Sequence, residues 1–176
     1  MKTLSKEEAM ALVGTPLTNY QNAVIQKTKY LYQDDLHLNV FENMLLFPWR
    51  DWRLFTFMKE NGLLQKNDKI NSMPLSYVTT NYSTHYDNIW DENRDRIENL
   101  KKSISKNGFY SNSVLFAIFE TGTVNRCYSI DGHHRGIAYH CSLGSGAVYT
   151  PVKCVFGEVD DICEVLKDYK HLIYFE

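Results

Sequence analysis

One stretch limits this chain more than any other: Ser129-Ile130-Asp131-Gly132-His133-His134-Arg135-Gly136-Ile137-Ala138. Arg126 to Ile130, just ahead of it, reads as a strand, and His134 to Cys141 reads as a helix. Between them a glycine stands beside a carboxylate, two imidazoles and a guanidinium, all within five residues. A strand that turns through glycine into a helix leaves backbone N–H groups without partners at the helix start. Those groups, with the positive end of the helix dipole, favour an anion, commonly a phosphate. Arg135 adds a fork-shaped donor that matches phosphate oxygens.

The rest of the chain supplies a scaffold for such a turn. Ser5-Lys6-Glu7-Glu8 is a capping box opening a helix that runs to Val13 and stops at Gly14-Thr15-Pro16. A second helix is expected over Ala23 to Leu31, broken by Asp34-Asp35. Leu36, Leu38 and Val40 fit a short strand, and Asn39 equally fits the cap of a helix reaching Leu46. Pro48 closes that segment, and Asp51 is expected to cap a helix from Trp52 to about Glu60, stopped by Asn61-Gly62. The polar run Gln65 to Asn71 reads as a linker. It divides an N-terminal, mainly helical extension (residues 1–70) from a domain over 71–176.

In the second part, Pro74 to Val78 reads as a short strand and Asn81 to Asn88 as a polar loop. Trp90 or Asp91 starts a helix with Ile97, Leu100 and Ile104 on one face, ending at Asn107-Gly108. Val114 to Phe119 is a continuous apolar run, as in a strand buried on both faces. Thr121-Gly122-Thr123 turns the chain into the strand before Asp131. Val152 to Phe156 is a further strand, and Asp160 is expected to cap a last helix carrying Ile162, Val165, Leu166 and Tyr169. The order strand, helix, strand, strand, helix, strand, helix predicts an α+β fold, a mixed sheet flanked by helices. In such sheets ligands sit at strand ends beside helix N-termini, where Asp131 to Arg135 falls.

Composition narrows the function classes. The 176 residues carry a net charge of −2, which argues against a chain held on DNA mainly by nonspecific phosphate contacts. No apolar run reaches the length of a membrane span, and the N-terminus shows no signal-peptide core, so no membrane partner and a cytoplasmic location are expected. The four cysteines form no Cys-x-x-Cys pair and read as buried reduced thiols rather than a zinc site. The dense aromatics around Trp49, Trp52, Phe55 and Phe57 read as packing rather than as a base-stacking surface.

Three pieces together resemble the ParB/sulfiredoxin fold over about residues 72–160. They are the helix Ile97 to Gly108, the buried strand Val114 to Phe119, and Ile130-Asp131-Gly132-His133-His134-Arg135 followed by Ala138. The third sits where that family carries its phosphate-binding strand-to-helix turn. The resemblance implies nucleotide binding with the phosphates at the turn. Sulfiredoxins use a cysteine where this chain has His133. Chromosome-partition ParB proteins bind CTP and carry a helix-turn-helix after that domain, where only one helix is expected after Phe156 of this chain. The Asp-Gly-His-His-Arg spelling is similar to free-serine kinases of this fold, and related turns occur in ParB-like nucleases. Residues 1–70 carry no resemblance.

Each residue of the turn has a functional reading beside a structural one. Gly132, His133, His134 and Arg135 are candidates to cradle the phosphates, with Arg135 alternatively paired to a carboxylate. His133 and His134 are candidate acids or bases, one facing the cleft and one packing. Asp131 is a candidate to orient a histidine, hold Mg²⁺ or take a proton, or else it caps the helix. A second acid is expected from Asp87, Asp91 or Glu92, with Asp91 the leading catalytic candidate or, again, a helix cap. Arg94 and Arg96 reach phosphates or merely solvate their helix.

The expectation is a nucleotide-binding enzyme (ATP or ADP, with CTP as an option) that uses Mg²⁺ to transfer a phosphoryl group to a small-molecule or macromolecular acceptor, or to hydrolyse it. The alternatives are a ParB-like nuclease or DNA-binding module with nucleic acid as partner, and a non-catalytic interaction protein such as a regulatory or anti-defence factor.

Overall fold

The computed structural model describes residues 1–14, 17–67, 69–109, 114–122 and 126–175. Thr15 and Pro16 of the expected first helix stop, Asp68 of the expected linker and Thr123 of the expected turn lie outside these residues. The chain runs β1 (Lys2–Thr3), α1 (Lys6–Val13), α2 (Asn19–Lys27), β2 (Tyr30–Leu36), α3 (Leu38–Asn43), β3 (Leu45–Leu46) and α4 (Arg53–Glu60). It continues with β4 (Lys66–Asn67), β5 (Ile70–Asn71), β6 (Met73–Pro74), α5 (Leu75–Thr84), α6 (Glu92–Asn107), β7 (Leu115–Glu120), β8 (Arg126–Asp131), α7 (His133–Gly144), β9 (Val152–Val159) and α8 (Ile162–Leu166).

Seven strands form one mixed sheet in the order β1-β2-β9-β7-β8-β3-β6. The expected α+β mixed sheet with flanking helices is present. β7 is central, parallel to β9 and antiparallel to its hairpin partner β8. Period-2 alternation sends its side chains to two separate cores. Leu115 and Ala117 join Cys127, Cys154 and Phe156 under α3 to α7. Phe116 and Ile118 join Tyr128, Ile130 and Val155 under α1, α2 and α8. The sheet is therefore the middle of three layers, and both faces of β7 are buried.

Several local expectations are corrected. The second helix begins earlier than Ala23 because Thr18 and Gln21 form a reciprocal capping box, with N–H···O distances of 3.1 and 2.9 Å. Tyr30 and Leu31 are strand, not helix, and Asp34-Asp35 lies inside that strand. The pair is tolerated because Asp35 faces Lys153 across the β2–β9 ladder, Nζ to Oδ1 2.6 Å. Leu38–Asn43 is helix, so Leu36, Leu38 and Val40 do not form one strand. The Gln65 to Asn71 linker holds the β4–β5 hairpin, with Ile70 fully buried.

Of the expected 74–78 strand only Pro74 pairs in the sheet, as the end of β6 (Met73–Pro74). Leu75, Val78, Thr79 and Tyr82 are buried at i, i+3, i+4 and i+7, a helical stripe that carries α5 into the expected loop. Asp161, not Asp160, caps the last helix: its Oδ1 accepts the Cys163 N–H at 2.9 Å. Cys127 and Cys154 are buried free thiols, whereas Cys141 and Cys163 are half-buried.

The sheet also crosses the expected boundary at residue 70, since β1, β2 and β3 lie before it and β6 to β9 after it. The long pairing of β2 with β9 runs from Tyr30↔Glu158 to Leu36↔Val152, so the first 70 residues build part of the sheet rather than hang from it. Among the described residues, no helix is long and apolar enough to cross a membrane.

Candidate functional site

The strand-to-helix turn forms where expected. β8 ends at Asp131, Gly132 is the N-cap of α7, and His133, His134 and Arg135 make the first turn. The β7–β8 register shifts between Phe116 and Ala117, a bulge that lies beside the turn. Gly132 is required twice over. Its φ of 96° is in the left-handed region, and a Cβ built there would lie 2.3 Å from Leu115 Cδ2. Without a side chain, Gly132 supplies no capping acceptor to the amides of the first turn.

The residues of this turn border a cavity of about 470 Å³. β8 and α7 contribute Ile130 to Arg135 to its wall. Thr18, Tyr20 and Gln21 come from the start of α2, and Trp49, Asp51 and Trp52 from the segment before α4. Arg96 and Leu100 project from α6, and Arg96 is exposed at the rim. The C-terminal chain anchors the 49–52 segment: Arg50 Nε donates to the Ile173 carbonyl at 2.8 Å, and the Tyr174 N–H donates to the Pro48 carbonyl at 2.9 Å.

Asp131 and Arg135 form an ion pair one helical turn apart. Arg135 Nη2 lies 3.1 Å from Asp131 Oδ2 and 3.1 Å from the Val114 carbonyl. Both side chains are mostly buried, and the pairing holds the guanidinium against the turn. Asp131 does not cap α7; that position belongs to Gly132.

The adjacent histidines have different surroundings. His133 is 8% exposed and packs edge-on against Trp49, ring centroids 5.7 Å apart. It hydrogen-bonds to the Ser129 backbone. Its Nε2 has no hydrogen-bond partner. The backbone bond therefore belongs to Nδ1–H, which leaves the lone pair on Nε2. Burial pulls its pKa down to about 4, against the opposing pull of Asp131 and the Ser129 bond. His134 Nε2 bonds Asn93 Oδ1 at 2.8 Å, which selects its Nε2–H tautomer, and Trp52 covers the ring at 4.3 Å. Burial, then Arg96, His133 and Arg135, pull its pKa down to about 3. Both imidazoles are neutral near pH 7.

Asp91, expected at the reaction centre, does not line this cavity. Its Oδ1 accepts the Arg94 N–H at 2.8 Å and its Oδ2 accepts the Arg53 N–H at 2.7 Å. One carboxylate thus caps both α6 and α4, which removes it from the candidate acids. Asp51, the expected cap of α4, is exposed and faces the cavity instead. Asp87 and Glu92 are also exposed and away from the turn's cavity. Of the two arginines on α6, Arg96 reaches the site, whereas Arg94 donates to the Tyr86 carbonyl at 2.9 Å and stacks over the Tyr86 ring.

The site includes residues that sequence reasoning missed. Tyr20 is 7% exposed, its hydroxyl is buried without a partner, and its ring meets Trp49 edge-on at 5.3 Å. Burial, with Asp131 nearby, pushes its pKa up, so the phenol stays protonated. An orphaned buried polar atom costs roughly 1–3 kcal/mol, and two such atoms lie in side chains on this one wall. The Thr18/Gln21 capping box was the readable signal that α2 begins here, but nothing local joins it to Gly132.

Asp131 and Asp51 are the carboxylates at the cavity. Among the described residues no cluster of three or more His, Cys, Asp or Glu would cage a resident metal ion. Magnesium held by one or two carboxylates together with substrate phosphates fits this donor set.

No family model, no curated protein and no solved structure matches the chain. Function is therefore read from the site itself.

Proposed function

We propose that this protein binds a nucleoside di- or triphosphate at the start of α7 and transfers or hydrolyses a phosphoryl group, on a fold of the ParB/sulfiredoxin type. The observation that carries the reading is the bare helix start at Gly132, opening on a cavity with Arg135 and Arg96 at its wall. The N–H groups of the first turn and the helix dipole favour phosphate oxygens. Arg135, held in place by Asp131 and the Val114 carbonyl, adds a fixed positive charge. His134, neutral and held by Asn93, stands in the cavity wall and keeps the first residues of the turn in position.

Asp131 and Asp51 are the groups that would hold Mg²⁺. Bound there with the nucleotide, the ion would neutralise charge developing on the phosphates. The acceptor is a small molecule or a macromolecule that enters from the open side of the cavity.

The test is a thermal-shift screen of ATP, ADP, CTP and GTP with and without Mg²⁺, on the wild-type protein and Arg135→Ala. A ligand that binds only the folded state raises the Tm by mass action. The expected result is a Mg²⁺-dependent rise that Arg135→Ala loses, measured against each variant's own ligand-free Tm. No rise with any of the four nucleotides would refute the reading.

A further inference from the structure

The cavity has a second kind of surface beside the strand-to-helix turn. Of the four aromatics read from the sequence as packing, Trp52 and Phe55 are buried, and Phe57 packs on His85 with ring centroids 4.8 Å apart. Trp49 differs. It stands in the cavity wall and is only half-buried. The Tyr20 and His133 rings of the same wall are buried, and Trp52 is buried over His134. Among the described apolar side chains that line the cavity, Trp49, Leu100 and Leu172 keep accessible surface, and Leu172 is 37% exposed.

Trp49 is also held in place. Its backbone forms an antiparallel bridge with Ile173. Its side chain packs against both cores of the sheet. The Tyr20 and His133 rings stand nearly perpendicular to it, at 5.3 and 5.7 Å. An aromatic surface fixed before binding costs little to order when a ligand arrives. His133 sets its separation from the turn: the His133 backbone opens α7, and the His133 ring meets Trp49. The indole therefore stands about one side chain's length from the amides that favour phosphate. A ribose bridges such a step, and the step ends on a flat apolar surface.

We infer that Trp49 is the platform on which the base of the bound nucleotide stacks, with Leu100 and Leu172 as the neighbouring apolar wall. This rests on the nucleotide reading and deepens it. A helix start with an arginine accepts any phosphate ester, whereas an indole beside it selects esters that carry a planar ring. Stacking tolerates every base, since each has a π-face. Purines, with the larger face, cover more of the indole than pyrimidines do. The first 70 residues thereby supply the base half of the site, and the strand-to-helix turn supplies the phosphate half.

The experiment titrates the full chain with MgATP, MgGTP, MgCTP and the magnesium salt of ribose 5-triphosphate, which carries the sugar and the phosphates without a base. Affinity is read by calorimetry and tryptophan emission in parallel. In the wild type, ATP and GTP should bind alike, CTP more weakly and ribose 5-triphosphate more weakly still. The nucleotides should quench the emission and the baseless ligand should not. Trp49→Leu is expected to weaken MgATP by roughly 5- to 150-fold and to leave ribose 5-triphosphate within about twofold. Trp49→Phe keeps an aromatic face, so it should retain most of the MgATP affinity while its emission no longer responds. If Trp49→Leu does not fold, the wild type and Trp49→Phe decide.

Wild-type protein that binds ribose 5-triphosphate as tightly as MgATP overturns the inference and leaves the phosphate site intact. MgATP binding without quenching in the wild type also overturns it, as does quenching that persists in Trp49→Phe. An equal loss of both ligands in Trp49→Leu overturns it too, because the indole would then only brace the turn. Wild-type protein that binds neither the nucleotides nor ribose 5-triphosphate removes both readings together.

Discussion

Two helix starts lie side by side in this molecule, and they are built in opposite ways. At α6, Asp91 closes the end: its carboxylate accepts the Arg94 N–H at 2.8 Å, and its other oxygen closes α4 through Arg53 at 2.7 Å. At α7, Gly132 leaves the end without a side-chain cap, and a cavity opens beside it. The charges that follow are sorted accordingly. The closed start carries Glu92 and Asp95 in its first turn, carboxylates that favour the positive end of the dipole, whereas the open start has no acid there and holds Arg135. The open start carries two histidines that burial keeps neutral. A helix end whose backbone donors are already satisfied is architecture. One that is left bare, buried and lined with orphaned polar atoms is available for a ligand.

The largest effect expected from this contrast appears on acidification. His133 and His134 have folded pKa values of about 4 and about 3, below the ordinary 6.5 of an unfolded histidine. Below pH 6.5 the unfolded chain binds protons that the folded chain refuses. Stability is therefore complete above about pH 6.5 and is lost as pH falls. From pH 7 to pH 5 the pair should cost about 3–4 kcal/mol, seen in urea unfolding at the two pH values. His134→Gln should remove about half of that loss. Equal stability at both pH values would mean that the open start tolerates charge as the closed one does.

Next in size is Gly132→Ala. The left-handed φ and the 2.3 Å approach to Leu115 Cδ2 together should cost about 3 kcal/mol, read by chemical denaturation. Nucleotide binding should weaken in parallel, because the turn that aims the amides must shift. Full stability in this variant would show that the geometry of the open start is not set by glycine.

The contrast between the two helix starts was only half legible in the sequence. The turn itself, the Ser5/Glu8 capping box, and α6 with its Asp91 cap and Gly108 stop are local features, decided by residues a few positions apart. The central strand β7 was readable because burial on both faces leaves no polar alternation. α5 was misread because Leu75 to Val78 looks strand-like until Tyr82 completes the helical stripe. β2 was misread because Asp35 makes sense only beside Lys153, more than a hundred residues away. The reach of Asp91 to Arg53, and the meeting of Tyr20 with His133 at Trp49, are tertiary facts with no local signature. Patterning shows which residues lie on one element, and a site assembled from four elements needs the packing.

The smallest effect comes from two aspartates whose roles the sequence reading exchanged. Asp51 stands one residue ahead of Trp52, the N-cap of α4, yet it is Asp91 that accepts the Arg53 N–H. Asp91→Ala should therefore destabilise the fold by about 2 kcal/mol, the loss of two caps at once, and leave ligand affinity nearly unchanged because the residue does not line the cavity. Asp51→Ala should do the reverse. Stability should stay within about 0.5 kcal/mol, as for an exposed residue without a structural partner, while the Mg²⁺-dependent part of nucleotide binding weakens. The two variants, compared by urea unfolding and by Mg²⁺ titration in the presence of nucleotide, separate a carboxylate that holds the scaffold from one that faces the ligand. If Asp51→Ala proved the more destabilising, the closed start of α4 would depend on its neighbour in sequence rather than on α6, and the contrast drawn between the two helix starts would fail.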